Sequence, residues 1–143
     1  MGSQMRQKQD EIAISTRGQG LYEITDQARR FIEASGMVMG QLTLFVQHTS
    51  ASLVIQENAD PDVRRDLNEF FKRLVPDGAS WMVHRSEGPD DMPAHIKSAL
   101  TQVSLTIPVT EGELRLGTWQ GIYLFEHRAA PHRRLVQLHL IGE

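Results

Sequence analysis

Val103-Ser104-Leu105-Thr106-Ile107-Pro108-Val109 alternates polar and apolar side chains, and three runs of the same kind follow it: Leu114-Arg115-Leu116, Gly121-Ile122-Tyr123-Leu124-Phe125 and Arg134-Leu135-Val136-Gln137-Leu138-His139-Leu140-Ile141. Side chains on a strand point alternately to opposite faces, so period-two runs and short continuous apolar runs bounded by turn residues read as strands. Working outward, residues 11–16 alternate as well, and Gly18-Gln19-Gly20 turns the chain into Leu21-Tyr22-Glu23-Ile24. Residues 40–47 set Leu42, Leu44 and Val46 on one face, and residues 52–56 form another short strand. Three segments break the pattern. Thr25 and Asp26 are both candidate N-caps for a helix with Ala28, Phe31 and Ile32 on one face, ending at Ser35-Gly36. Asp60-Pro61 places a capping carboxylate before a proline at the first helical position, and Val63, Leu67, Phe70, Phe71 and Leu74 follow as an apolar stripe up to Pro76-Asp77-Gly78. Residues 93–100 read as a short helix. Strands outnumber helices and are not regularly interleaved with them, which predicts an α+β fold with a largely antiparallel sheet system.

The 143 residues contain no Pro/Gly/Ser-rich linker and no internal repeat, and the expectation is one domain over residues 10–143. Residues 1–9 are polar and read as a disordered or tag-like N-terminus, with Met1-Gly2-Ser3-Gln4 set aside from the fold argument. A chain of this length buries a core without staples. Cysteine is absent, which removes disulfides, thiolate zinc sites, iron–sulfur clusters and thiol nucleophiles together. The net charge of -3 argues against a general nucleic-acid binder. No run approaches the roughly 20 apolar residues of a membrane helix. With no apolar signal region, the expected compartment is the cytoplasm.

Candidate chemistry lies in four stretches. Of the six histidines, His48, His84 and His95 fall in polar, turn-rich surroundings next to carboxylates and amides. Imidazoles from separate elements are how open metal sites are built, although lone surface histidines are common. His48 opens Thr49-Ser50-Ala51-Ser52, a run of small and hydroxyl residues able to hydrogen-bond a ligand. Glu57 and Asn58 precede the Asp60 cap at a strand end, where they can face a cleft. Glu87-Gly88-Pro89-Asp90-Asp91-Met92-Pro93-Ala94-His95 sets adjacent carboxylates beside an imidazole, a combination that binds cations or orients the ring. Finally, Gly117-Thr118-Trp119-Gln120-Gly121 brackets an aromatic–amide pair with glycines. Nearby, Glu126-His127-Arg128 puts both signs of charge at a strand end, and an arginine fork suits phosphate. Trp119 as a core residue and these charges as a solvated rim remain open alternatives.

In this order and spacing, Phe45-Val46-Gln47-His48-Thr49-Ser50-Ala51-Ser52-Leu53, Gln56-Glu57-Asn58-Ala59-Asp60-Pro61-Asp62-Val63, Glu87-Gly88-Pro89-Asp90-Asp91-Met92-Pro93-Ala94-His95-Ile96-Lys97 and Gly117-Thr118-Trp119-Gln120-Gly121-Ile122-Tyr123-Leu124 with Glu126-His127-Arg128 resemble the YjbQ/UPF0047 family of secondary thiamine-phosphate synthases. The resemblance covers residues 10–143. It implies a compact α+β sandwich with two to three helices, assembled as a homotrimer. It also implies a weak activity joining hydroxymethylpyrimidine diphosphate to hydroxyethylthiazole phosphate with release of pyrophosphate. Carried over by position, it implies His48, Glu57, Asp91 and Glu126 as catalytic residues. Ser50, Asn58, Trp119, Gln120 and Arg128 become substrate contacts, and Lys97 is a second candidate for phosphate. His48, His84 and His95 become ligands of a divalent metal, zinc or magnesium, in one pocket. The partner is then a small phosphorylated metabolite, with neither nucleic acid nor membrane. Dedicated synthases of this type are (β/α)₈ barrels, which 143 residues cannot form, so a shared activity would be convergent. Two other functions are compatible with the same residues: a metal-dependent hydrolase of a small phosphorylated metabolite, and a non-catalytic metabolite-binding trimer.

Overall fold

The computed structural model describes residues 4–143, so Met1, Gly2 and Ser3, part of the expected tag-like N-terminus, lie outside the described residues. In chain order the elements are β1 (Arg6–Ser15), β2 (Gly20–Glu23), α1 (Thr25–Ser35), β3 (Met39–Val46), β4 (Ala51–Glu57), α2 (Pro61–Leu74), α3 (Asp91–Leu100), β5 (Ser104–Thr110), β6 (Glu113–Leu114), β7 (Gln120–Glu126) and β8 (Arg133–Gly142). Every expected helix is present and every expected strand has a counterpart, although the run expected over 114–116 is reduced to the two-residue β6, and all the pairings are antiparallel. One sheet runs β1-β8-β3-β5-β6 and the other β2-β7-β4.

β1 starts earlier than the expected domain boundary. Arg6 to Gln9, assigned above to a disordered N-terminus, pair in register with Gly142 to His139 of β8. Backbone pairing along a sheet edge orders even a polar segment, because the ladder bonds do not depend on side-chain hydropathy. Arg6 adds a hydrogen bond to the Ser35 carbonyl at the end of α1 (2.8 Å).

The two sheets face each other over one core. Leu42, Leu44 and Val46 of β3, Leu105, Ile107 and Val109 of β5, and Val136, Leu138 and Leu140 of β8 meet Ala51, Leu53, Ile122 and Leu124 of the smaller sheet. Ala28, Phe31 and Ile32 of α1 close that core at one side. β7 is buried on both faces. Its odd-numbered side chains point away from the larger sheet, where Phe71 of α2 meets Phe125 edge-on at 5.3 Å and Arg64 lies over the Tyr123 ring. α3 packs beside β4 on the same side, with Ser98 donating to the Ala51 carbonyl. The period-two alternation continues past the end of β7, which sends Glu126 toward the inter-sheet core and His127 toward α3. That parity positions the chemistry described next.

Candidate metal centre

α3 begins at Asp91, two residues before the expected start at Pro93, and this brings Asp91 and His95 one turn apart on the same face. Asp91 is 2% exposed. Its Oδ2 lies 2.7 Å from His84 Nε2 and 3.0 Å from His95 Nε2, and the two imidazole centroids are 5.5 Å apart. Glu87 brings a second carboxylate within 3.3 Å of His84 Nε2. One ligand atom from each of His84, Glu87, Asp91 and His95 lies within 4.8 Å of all the others.

Neighbouring groups orient the cluster. The Thr49 carbonyl sits 2.8 Å from His95 Nδ1, which fixes a proton on that nitrogen and turns Nε2 toward Asp91, where without a metal it donates to Oδ2 and with one it would give up that proton to become a ligand. Arg128 is held on three sides. Its Nε donates to Asp90 (3.0 Å), one terminal nitrogen to Asp91 Oδ1 (2.8 Å) and the other to the Glu87 carbonyl (2.9 Å). Asp91 is thereby clamped through Oδ1, with Oδ2 turned to the imidazoles. Burial pushes the Asp91 carboxyl up, but the hydrogen bond from His84 and the charges of His95 and Arg128 outweigh it, so its pKa is lowered. Asp90 is likewise held low, because the Ala129 amide and Arg128 outweigh its partial burial. The guanidinium assigned above to phosphate is thus committed to the cluster's own carboxylates.

His48 does not join. Its Nε2 accepts the Leu135 backbone N–H at 2.9 Å, which uses the lone pair a metal would need. Burial and the charge of Arg134, with a contribution from His132, lower its pKa and favour the neutral ring. The expected trio is therefore a pair, His84 and His95, completed by Glu87 and Asp91. Glu126 also lies apart from the cluster. It is fully buried, bonded by Thr16 Oγ1 (2.6 Å) and by both Nε and a terminal nitrogen of Arg134, which also donates to Ser50 Oγ (3.0 Å). Burial pushes its carboxyl up, but Arg134 and Thr16 hold it below the ordinary range. Glu126 and Ser50 thus form a buried polar joint between the sheets, with no free oxygen offered to a substrate.

The remaining expected residues stand elsewhere. The register pairs Ala51 with Glu126 at one end of the smaller sheet and Glu57 with Gln120 at the other, about 20 Å away along the strand. Glu57, Asn58, Trp119 and Gln120 therefore belong to the far end and do not face the imidazoles within one chain. There Asn58 donates to Glu23 (3.2 Å), Gln120 Oε1 accepts the Gly117 N–H (2.7 Å), and Trp119 is 61% exposed, which removes it from the core. Sequence reading missed Glu87 as a candidate ligand and the Thr49 carbonyl as the partner of His95. The spacing Glu87, Asp91, His95, one residue every four, carried the signal.

The fold and this centre define a class: a two-sheet antiparallel α+β protein whose two imidazoles and two carboxylates can hold a divalent cation. The family profile described as UPF0047 protein YjbQ-like matches residues 10–143. A UPF0047 protein of Synechocystis is 51% identical over 138 residues, covering 96% of this chain and 94% of its own. UPF0047 protein YjbQ of Escherichia coli O157:H7 is 43% identical over 136 residues, covering 94% and 98%. Among solved structures, a YbjQ-like protein of Sulfolobus solfataricus P2 superposes with a TM-score of 0.89 at 29% identity, covering 98% of this chain and 100% of that one. A YjbQ/UPF0047 protein of Clostridium acetobutylicum gives 0.84 at 34% identity, covering 92% and 98%. The chain belongs to the YjbQ/UPF0047 family. Among the described residues, no helix is long and apolar enough to cross a membrane.

Proposed function

We propose that this protein is a metal-dependent enzyme acting on a small phosphorylated metabolite of the cytoplasm, working as a homotrimer, with thiamine-phosphate synthesis as a weak activity. The observation that carries the reading is the convergence of His84, Glu87, Asp91 and His95 around one point. The donor set fits a resident cation. Two imidazoles and two carboxylates, with His95 Nδ1 held by a carbonyl, are a mixed donor set that suits zinc, whereas magnesium prefers an all-oxygen shell. Bound there, the cation would supply charge neutralisation for a phosphate or diphosphate oxygen. The chain's own residues hold and orient it. Asp91 presents Oδ2 because Arg128 grips Oδ1, His95 presents Nε2 because Thr49 holds Nδ1, and the exposed Glu87 brings the second carboxylate to the side of His84.

Hydrolysis of a phosphorylated metabolite is the second reading, and the place of Trp119 favours it. Coupling needs a surface for a pyrimidine ring, and the exposed indole lies at the far end of the smaller sheet from the imidazoles. The test is zinc binding followed by product analysis. Chelator-stripped protein should regain zinc, and His84→Ala or His95→Ala should each weaken it by at least about tenfold. Reloaded enzyme given both substrates should release pyrophosphate in step with thiamine phosphate. Phosphate release without coupling assigns the hydrolase, and ligand-induced thermal stabilisation without turnover assigns a binding trimer. Zinc affinity unchanged in the double variant overturns the metal reading.

A further inference from the structure

Lys97 follows His95 by two residues, so it leaves α3 about 200° around the helix from the metal cluster. It is only 3% exposed. Among the described residues, its ammonium has no hydrogen-bond acceptor and no ion-pair carboxylate: none of the side-chain hydrogen bonds or salt bridges involves it. The one contact at this residue runs from the backbone, where the Lys97 carbonyl accepts Thr101 Oγ1. Among the described residues the buried unpaired side-chain atom is His127 Nδ1 and not Lys97 Nζ, so the ammonium keeps contact with solvent at the end of a stem that is otherwise buried. Lys97 lines a cleft of about 390 Å³ together with Gln19, Lys72, Pro76, Asp77 and Ala129. The nearby carboxylate of Asp90 is already taken by Arg128 and by the Ala129 amide. The Gln19 amide is tethered to the His127 carbonyl at 3.2 Å, which fixes the wall opposite. Two ammonium groups against the single exposed carboxylate of Asp77 leave the cleft with a net positive charge.

We propose that this cleft binds an oxyanion of phosphate size, with Lys97 as its inner donor and Lys72 as the second cation at the rim. It rests on the reading of the protein as one that takes a phosphorylated small molecule, and assigns the phosphoryl group to Lys97 in place of the committed Arg128. The chemistry is shared by free inorganic phosphate and by the phosphoryl group of an ester such as hydroxyethylthiazole phosphate.

The experiment is titration of the full chain with each of these two probes in the presence of chelator, followed by calorimetry or ³¹P line broadening. Chelator keeps the result independent of the metal. The wild-type protein should bind at least one probe. Lys97→Met should weaken that binding at least tenfold, Lys72→Ala several-fold, and Asp77→Asn should tighten it. Tighter binding of the ester identifies the metabolite's own phosphoryl group as the occupant, and tighter binding of phosphate identifies the free anion. Circular dichroism checks folding, and should Lys97→Met unfold, the two surface variants decide. No binding by the wild type, or affinity unchanged in folded Lys97→Met, overturns the proposal, as does unchanged affinity in both surface variants. His84→Ala should leave this binding intact while losing zinc, so failure of the metal reading and failure of the anion site are told apart.

Discussion

His127 shows how a single residue ties pH to stability here. The ring is 1% exposed, its Nε2 pairs with Ser52 Oγ at 2.9 Å, and its Nδ1 is buried without a partner. Burial, aided by the charges of Lys97 and Arg134, lowers its pKa to about 3. Between that value and the ordinary 6.5, the unfolded chain binds a proton that the native protein refuses. Stability should therefore fall as the pH drops through this window, with a slope of up to about 1.4 kcal/mol per pH unit. His48, also lowered, adds in the same direction. Urea unfolding at pH 7, 6 and 5 checks this above the range where the carboxylates titrate, and His127→Gln should flatten most of the slope. An unchanged slope in the variant would contradict the assignment. Arg128 gives a second residue-scale test. Arg128→Gln should reduce zinc affinity roughly 10–100-fold without touching a ligand, because Asp91 loses the grip on Oδ1.

At the scale of elements, the two long helices start differently from one another. Asp60 caps α2 as its sequence suggests, its side chain accepting the Asp62 N–H at 2.9 Å. Asp60→Ala should cost about 1 kcal/mol in chemical denaturation. α1 offered two candidate caps, and neither makes a side-chain cap bond; Ile24 stands at the cap position. The Thr25 hydroxyl instead donates to Glu23 at 2.7 Å and accepts the buried Ile122 N–H at 2.8 Å, which ties the helix start to β7. Thr25→Val would leave that N–H unsatisfied and should cost about 1–3 kcal/mol, whereas Asp26→Ala should stay within about 0.5 kcal/mol. Equal effects in the two variants would argue against this division of roles. Local propensity marked where α1 begins, but the partner of the hydroxyl came from a strand 97 residues away.

For the whole molecule, the Glu126–Arg134 pair is the polar joint of the two sheets, since β7 belongs to one and β8 to the other. Both side chains are buried, and Thr16 and Ser50 satisfy their remaining hydrogen bonds. Glu126→Gln leaves the guanidinium charge uncompensated in the interior and should destabilise the fold by about 3–5 kcal/mol, read as a lowered denaturation midpoint. The proposed homotrimer also belongs to this scale. α2 has no fully buried residue despite its apolar stripe, and Phe70, Leu74, Trp81 and Trp119 are each more than half exposed. Sedimentation equilibrium should report three chains per particle, and a monomer would contradict it.

Strand periodicity, the proline-marked start of α2 and the apolar faces of the helices settled the α+β architecture, because they are local signals set by side-chain direction and backbone preference. The pattern around Asp90, Asp91 and His95 likewise marked a cation-friendly stretch. What chain order could not supply was which distant groups meet. His48 lies next to Thr49, whose carbonyl anchors His95, yet its own ring turns to β8. Glu57 and Glu126 lie on neighbouring strands but at opposite ends of them. Arg128, read as a phosphate donor, is spent on two carboxylates and a carbonyl. Strand register, parity and helix phase decided each of these, and all three are set by packing the sheets and helices against one another.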